Sequence, residues 1–328
     1  EIKECDWSSD VCSSDLKIRF LKHEEYNDNR TLNLLPEVPS GGTTSGGQAP
    51  HVEDLSHQIF RDFGVMAPEC FWFRVIERGK HTQRILIQQP SEKFLEINGR
   101  DSSGDIYKIA YNVDNGYTKM TNVNNGEDDY PQLLSAINNG SESQRRTAIY
   151  RYLDVEKVMS YSVAGVLMSN WDGFFNNMFL YHDPGLDMWE CIPWDLDKTF
   201  GYTDNDPMFV AMPINYPLDG QAPKESRSPG PISRPFHKIP ELHERYIYQL
   251  RDALNGLFAK ERIQGMMQEI EDLLLADSKL QEQYTGLSTS SRQKQITNAY
   301  DTMNTFMTLR HEFLCGVLPV EVSDWSLY

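Results

Sequence analysis

The sequence predicts an α+β protein with two lobes, a β-rich N-terminal one and a helical C-terminal one, and three observations carry that reading. Up to Asn112 the apolar residues come in short β-branched and aromatic runs (KIRF, FWFRVIE, RILIQQ, DIYKIAYN) separated by turn-forming residues. From Pro131 onward they recur at intervals of three and four, the period of helices. A chain of roughly 310 residues from Lys17 exceeds the roughly 250–300 that one hydrophobic core usually organises, so two lobes flanking a cleft are expected. The boundaries read as 17–130 for a nucleotide-sized β lobe and 131–328 for the helical lobe, joined near residues 113–140.

The first sixteen residues stand apart. Asp6 to Leu16 reads DWSSDVCSSDL, which is one translated frame of a common short-read sequencing adapter. We read 1–16 as artefactual, excluded from fold reasoning like a tag or scar, and expect native sequence to begin near Lys17, with the natural N-terminus missing. Without Cys5 and Cys12, the cysteines are Cys70, Cys191 and Cys315. They are too scattered for a disulfide framework or a zinc site, and set no compartment.

The elements follow in order. Lys17–Leu35 suggests a short strand and an extended segment, and Pro36–Pro50 (PEVPSGGTTSGGQAP) a flexible loop. That loop lacks the Lys-Ser/Thr and the preceding strand that a phosphate-binding glycine loop requires. Glu53–Phe63 is amphipathic through Leu55, Ile59, Phe60 and Phe63, with Gly64 as C-cap. FWFRVIE and RILIQQ form the central hairpin of the small lobe across a polar ERGKHTQ turn, SEKFLEINGR a helical turn, and DIYKIAYN a further strand. The acidic NVDNGYTKMTNVNNGEDDY is loop-like, its EDDY a solvated turn or a dock for basic peptides. Helices follow at PQLLSAINN, SQRRTAIYRYL and DVEKVMSYSVAGVLMSN, the last capped by Asp154 with Val155, Val158, Met159, Ser162 and Val166 on one stripe. A proline-rich stretch, Pro207–Pro240, wraps the surface or lines a substrate groove. Three longer helices close the chain, PELHERYIYQLRDALNGLF, KERIQGMMQEIEDLLLADSKL and SRQKQITNAYDTMNTFMTLRHEFLCGVL.

The formal charge is −17, of which residues 1–16 contribute −4, leaving −13. Such a field repels nucleic acid and anionic membrane and attracts basic protein segments. No apolar run approaches the roughly 20 residues of a membrane-spanning helix. The sequence carries no signal for oligomeric state.

The chemistry concentrates between Asn170 and Gly201, NWDGFFNNMFLYHDPGLDMWECIPWDLDKTFG. Asp172 is followed five residues on by Asn177, then by an apolar run, a Pro-Gly turn and a second run ending at Asp195. A two-stranded excursion returns to its starting edge, so Asp172, Asn177 and Asp195 converge. Protein kinases space their groups this way: one Asp takes the substrate hydroxyl proton, an Asn five residues later holds a metal, and a second Asp holds Mg²⁺ on the phosphates. The usual His-Arg before the first Asp and Phe-Gly after the second are absent. Asp195 and Asp197 alternate along a segment read as extended, so both are expected on one face. Three other readings stand beside this one. The residues are turn caps and solvated strand ends; Asp172 and Asp195 are the carboxylate pair of a glycoside hydrolase; or DLD builds a structural Ca²⁺ site. None of these requires the Asn five residues after the Asp. His182 reads as a turn residue, His237, His243 and His311 lack metal spacing, and Met266 and Met267 read as helix core.

NWDGFFNNMFLY and IPWDLDKTFG resemble the two signature blocks of the spore-coat CotH-type atypical kinases. Looser similarity extends to LSHQIFRDFGVMAP, KFLEINGRDSSGDIYKI and the helices ending in LRHEFL. The resemblance implies a two-lobed protein-kinase-like fold that binds ATP with Mg²⁺ or Mn²⁺ and phosphorylates proteins, often secreted or surface-associated ones. By position it implies Asp172 as the catalytic-loop Asp, with Asn177 and Asp195 as metal ligands and Asp197 in support. The family shows a Glu in the strand that here reads LIQQP, where Gln88 or Gln89 stands instead. That departure leaves open a nucleotide-binding, non-catalytic pseudokinase. Lys108, Lys17 and Arg19 are the candidates for the phosphate-binding cation, with Lys108 and Gln88 assigned to the nucleotide. Re-sequencing the source locus tests the adapter reading, and native DNA encoding DWSSDVCSSDL would refute it.

Overall fold

The strand-forming runs before Pro131, together with the two that flank the Pro184–Gly185 turn, build two antiparallel sheets, and the three-and-four spacing after Pro131 produces helices packed against one of them. The computed structural model describes residues 2–3, 16–21, 24–35, 51–77, 80–110, 116–124, 128–202, 214–218, 230–277 and 289–318. The glycine-rich loop expected at Pro36–Pro50, and most of the proline-rich segment, lie outside them.

The first sheet runs β1-β2-β3-β5-β4, with β1 Ile2–Lys3, β2 Leu16–Arg19, β3 Thr31–Leu34, β4 Cys70–Glu77 and β5 Lys80–Gln88. The β4–β5 hairpin is longer than the sequence reading allowed. Glu77 pairs with Lys80 and Val75 with Thr82, so most of the ERGKHTQ segment is strand rather than turn. Helix α1, His51–Asp62, precedes β4 and ends at Gly64, whose φ of 73° is the left-handed conformation that glycine adopts without strain. After β5 comes α2, Glu92–Ile97, capped by Ser91.

The second sheet runs β7-β6-β8-β9, with β6 Asp105–Ile109, β7 Tyr117–Lys119, β8 Met178–Asp183 and β9 Met188–Pro193. The β6–β8 pairing, Lys108 opposite Phe179 and Ile106 opposite Tyr181, joins strands from either side of residue 130. One face of this sheet presents Ile106, Phe179, Tyr181 and Ile192 to Ile85 and Ile87 of the first sheet and to Phe94 and Leu95 of α2. Its other face presents Tyr107, Leu180, Trp189 and Cys191 to the helices.

Three helices lead to the second hairpin: α3 Tyr130–Asn138, α4 Glu142–Tyr152 and α5 Val155–Leu167. A capping box closes the start of α4, with Ser141 and Gln144 exchanging side-chain and backbone bonds. Asp154 caps α5 by accepting from the Lys157 amide at 3.1 Å. The expected stripe on α5 is buried, but so are Tyr161, Val163, Ala164 and Leu167. A helical stretch buried on all sides belongs at the centre of a core, and the C-terminal half of α5, Tyr161–Leu167, occupies it. Beyond the second sheet lie α6 Ser233–His237, α7 Pro240–Asn255, α8 Lys260–Leu275 and α9 Thr289–Val317.

Arg310 of α9 is fully buried. Its guanidinium donates to the carbonyl oxygens of Val166 (2.6 Å), Ile214 (2.6 Å) and Tyr216 (3.0 Å). Burial lowers its pKa to about 10, which leaves it charged at neutral pH. One cation thus ties the last helix to the C-terminal end of α5. His182, read from sequence as a turn residue, is instead on β8. Its ring stacks on Trp189 at 4.5 Å, and its two nitrogens lie 3.1 Å from Asp129 and Asp187.

Two histidines make the fold acid-sensitive. His57 on α1 is fully buried, and burial holds its pKa well below the ordinary value. His237, packed between Phe236, His243 and Tyr246, is lowered to about 3 by burial and by the neighbouring His243. A histidine whose folded pKa is depressed contributes its full share of stability above its unfolded pKa near 6.5. That share is lost as pH falls toward the folded pKa, because the unfolded chain binds the proton first. His237→Phe is therefore expected to retain about 2 kcal/mol more of its pH 7 stability than wild type does on going to pH 5. Paired urea titrations at the two pH values measure this; parallel losses in both proteins would contradict it.

Candidate active site

The loop after α5 is built from backbone conformations that few side chains choose. Ser169, Asn177, Asp195 and Phe200 all have φ between 50° and 53°. Such residues carry about 1 kcal/mol or more of strain each and persist where the surroundings over-determine them. Ser169 ends the helix, and the amide of Asn170 then bonds the Gly165 carbonyl at 2.8 Å. The Asp172 carbonyl closes the next turn, accepting from the amides of Phe175 (3.3 Å) and Asn176 (2.9 Å). That turn brings Asn177 back to Asp172.

Asp172 is 1% exposed, Asn177 9% and Lys198 5%. Asp172 Oδ2 accepts from Asn177 Nδ2 at 3.2 Å and from Lys198 Nζ at 3.1 Å. Asn177 Oδ1 accepts from Asn176 Nδ2 at 2.9 Å, and a carbonyl oxygen has a second lone pair. The β8–β9 hairpin returns the chain as its spacing demanded. Met178 pairs with Pro193, and the Trp194 amide donates to the Asn177 carbonyl at 3.2 Å, which sets Asp195 beside Asn177 along the same edge. Two backbone bonds then join the loops, Trp171 N to Lys198 O at 3.0 Å and Phe200 N to Met168 O at 2.9 Å. Helix α1 closes the far side: Ser56 Oγ and Thr199 Oγ1 lie 2.8 Å apart, and Thr199 Oγ1 donates to the Leu196 carbonyl at 2.9 Å.

The expectation of an extended DLD segment is corrected here. Asp195 is left-handed and Leu196–Lys198 form a turn of 3₁₀ helix, so strand alternation does not place Asp195 and Asp197 on one face. Both are half-buried, while Leu196 and Lys198 point inward and are buried.

The nucleotide candidates lie on strands of the two sheets. Gln88 is 1% exposed at the end of β5, where its Oε1 accepts from the Glu69 backbone amide at 2.9 Å and its own backbone amide donates to the Glu69 carbonyl at 3.1 Å. Lys108 is half-buried on β6, opposite Phe179 and on the face that meets the first sheet. Lys17 and Arg19 are exposed on β2. The basic residue that the fold buries against Asp172 is Lys198, which the sequence reading did not single out. Only its place three residues after Asp195, in DLDK, could have signalled it.

The oxygen donors near Asp172 suit a hard cation. Among the described residues no group of three His, Cys, Asp or Glu side chains forms a metal cage. Mg²⁺ needs no such cage, since it is ordinarily held by one or two carboxylates together with substrate phosphates and water. Asn177 Oδ1 and the half-buried carboxylates of Asp195 and Asp197 are the residues that would hold it.

The turn depends on one glycine. A Cβ on Gly173 would sit 2.0 Å from Asn170 Nδ2 and 2.6 Å from its Cγ, while the Gly173 carbonyl accepts from the Tyr161 hydroxyl. Asn170 is fully buried, so its amide cannot swing away into solvent. Gly173→Ala is expected to destabilise the protein by about 1–3 kcal/mol through overpacking, read as a lowered denaturation midpoint. An unchanged midpoint would show that the loop can relax.

Residues 52–314 match the family described as CotH kinase protein. The inner spore coat protein H of Bacillus subtilis (strain 168) is 26% identical over 166 residues, which are 45% of this chain and 45% of that protein. The chain therefore aligns with less than half of that relative's length. Among solved structures, the Helicobacter pylori proinflammatory kinase CtkA is similar with a TM-score of 0.42 at 9% identity, over 97% of this chain and 96% of that one. A chain of the Shewanella oneidensis MR-1 toxin–antitoxin complex of HipA, HipB and operator DNA gives 0.39 at 12% identity, over 95% and 67%. With the family model matched from α1 to near the end of α9, the chain belongs to the CotH kinase family and has its α+β, protein-kinase-like fold.

Proposed function

We propose that the protein transfers the γ-phosphoryl group of ATP to a serine or threonine hydroxyl of a protein. The observation that carries this reading is the buried Asp172 carboxylate held by Asn177 and Lys198, with Asp195 returned to the same edge by the β8–β9 hairpin. Asp172 orients the hydroxyl and accepts its proton. Asn177 and Asp195 would hold Mg²⁺ or Mn²⁺, supported by Asp197, and the metal would supply charge neutralisation at the phosphates. Lys108 is half-buried on β6, and we assign it with Gln88 to the nucleotide. The net charge of −17, or −13 without residues 1–16, favours basic protein substrates. Among the described residues no helix is long and apolar enough to cross a membrane, and similarity to a spore coat protein supports action at a cell or spore surface.

A second reading, a nucleotide-binding module without transfer activity, is favoured by Gln88. An amide stands where the family resemblance implies a carboxylate, and its oxygen is engaged with the Glu69 amide.

The test uses Asp172→Asn and Asp195→Ala. Asn is chosen at 172 because its amide oxygen can still accept from Lys198, whereas Ala would leave the buried ammonium with neither charge nor acceptor there, at about 3–5 kcal/mol. Asp172→Asn is expected to lower transfer by about 10²–10⁴-fold, the usual worth of a positioned acid–base group. It should keep the melting shift given by ATP and Mn²⁺. Asp195→Ala should lose both, since a ligand at a hundredfold excess over Kd stabilises by about 2.7 kcal/mol. Equal transfer by all three proteins would end the kinase reading. A metal-dependent shift without transfer to any protein would favour the non-catalytic module.

A further inference from the structure

The expected phosphate-binding cations sit on strands, yet the lysine that reaches the reacting carboxylate comes from the 3₁₀ turn after Asp195. We infer that Lys198 is a positioning residue of the phosphoryl-transfer site, holding Asp172 in the orientation that receives the substrate hydroxyl. The inference rests on the kinase reading above and adds a residue to it.

Three observations support it. Lys198 is 5% exposed, and a lysine is almost never buried to that degree unless paired. Its Nζ lies 3.1 Å from Asp172 Oδ2 on the oxygen that Asn177 also contacts, so that two donors fix the plane of the carboxylate and the direction of its other oxygen. Its backbone is fixed independently of its side chain, because the Lys198 carbonyl accepts from the Trp171 amide, one residue before Asp172. The lysine stem therefore spans two loops that are already locked together, which is how a support is held to within a fraction of an ångström.

In the transfer step the hydroxyl oxygen forms a bond to the γ-phosphorus. The bond from that phosphorus to the β–γ bridging oxygen breaks, ADP leaves with the electron pair, and the hydroxyl proton passes to Asp172. Lys198 takes no atom in this exchange. Its ammonium keeps the carboxylate from rotating out of line, and misplacement of a reacting group by about 1 Å is worth about 10²-fold in rate.

The experiment compares wild type, Lys198→Met and Lys198→Arg. It follows transfer from radiolabelled ATP with Mn²⁺ to a mixture of Ser/Thr peptides flanked by Lys and Arg, with the ATP–Mn²⁺ melting shift recorded beside it. Lys198→Met is expected to lower kcat by about 100-fold while the ATP dissociation constant stays within about threefold, and Lys198→Arg to recover part of the loss. A structural role alone would not separate kcat from nucleotide affinity. Lys198→Met with kcat within about tenfold of wild type would overturn the inference and leave the kinase reading intact. If that variant does not melt cooperatively, Lys198→Thr, whose hydroxyl is too short to reach Asp172, is held to the same criterion. Failure of both to fold would make Lys198 structural and end the inference. A wild type without metal-dependent ATP binding would remove the kinase reading itself.

Discussion

The Lys198–Asp172 pair is the constraint around which the rest of the molecule is organised. Two oppositely charged side chains, 6% and 2% exposed, face one another at 3.1 Å. Removing such groups from water costs several kcal/mol per ion, and their attraction offsets this only when the geometry is good and further hydrogen bonds are made. Those conditions are met by bringing together segments distant in sequence. Asn177 adds a donor to Asp172, the Met168–Trp171 and Lys198–Phe200 backbones are cross-bonded, and Ser56 of α1 meets Thr199. A buried ion pair is weak evidence of stabilisation. It is better understood here as a cost accepted to hold a carboxylate in one place.

Helix α5 and Arg310 supply the rigidity this demands. Because every residue of α5 from Tyr161 to Leu167 is buried, its C-terminal end cannot shift without disturbing the whole helical core. Arg310 fastens that end, bonding the Val166 carbonyl three residues before the left-handed Ser169. Carbonyls near a helix C-terminus lack intrahelical partners, and a cation there also complements the helix dipole. The last helix in sequence thus stabilises the loop of the proposed site from behind, about 140 residues away along the chain.

Much of the architecture was legible in local patterns, and what escaped shows where locality fails. The period of two in FWFRVIE and RILIQQ, the Asp154 cap and the PGLD turn each rest on one or a few neighbouring residues, and each appears in the structure. The spacing of Asp172 and Asn177 was legible because a tight turn leaves two residues five apart little freedom to separate. The length of the β4–β5 hairpin was not, because ERGKHTQ is polar and strand pairing overrode its composition. His182 was misplaced for a similar reason. Its partners Asp129 and Asp187 come from separate segments, and only the sheet register brings them together.

Lys198 escaped for a subtler reason. In an extended DLDK, residues 195 and 197 would face one way and 196 and 198 the other. The burial pattern keeps that alternation, with Leu196 and Lys198 inside and the two aspartates half-exposed. A period-of-two reading was therefore right about which residues share an environment and wrong about the conformation producing it. Asp195 at φ 53° bends the chain into a 3₁₀ turn, and in that turn the inward direction points to Asp172 rather than into an apolar core. An inward lysine in a strand would have nothing to pair with and would snorkel outward. Here the left-handed Asp195 supplies the partner, so the strain at one proposed metal ligand sets the lysine against the carboxylate of the other loop.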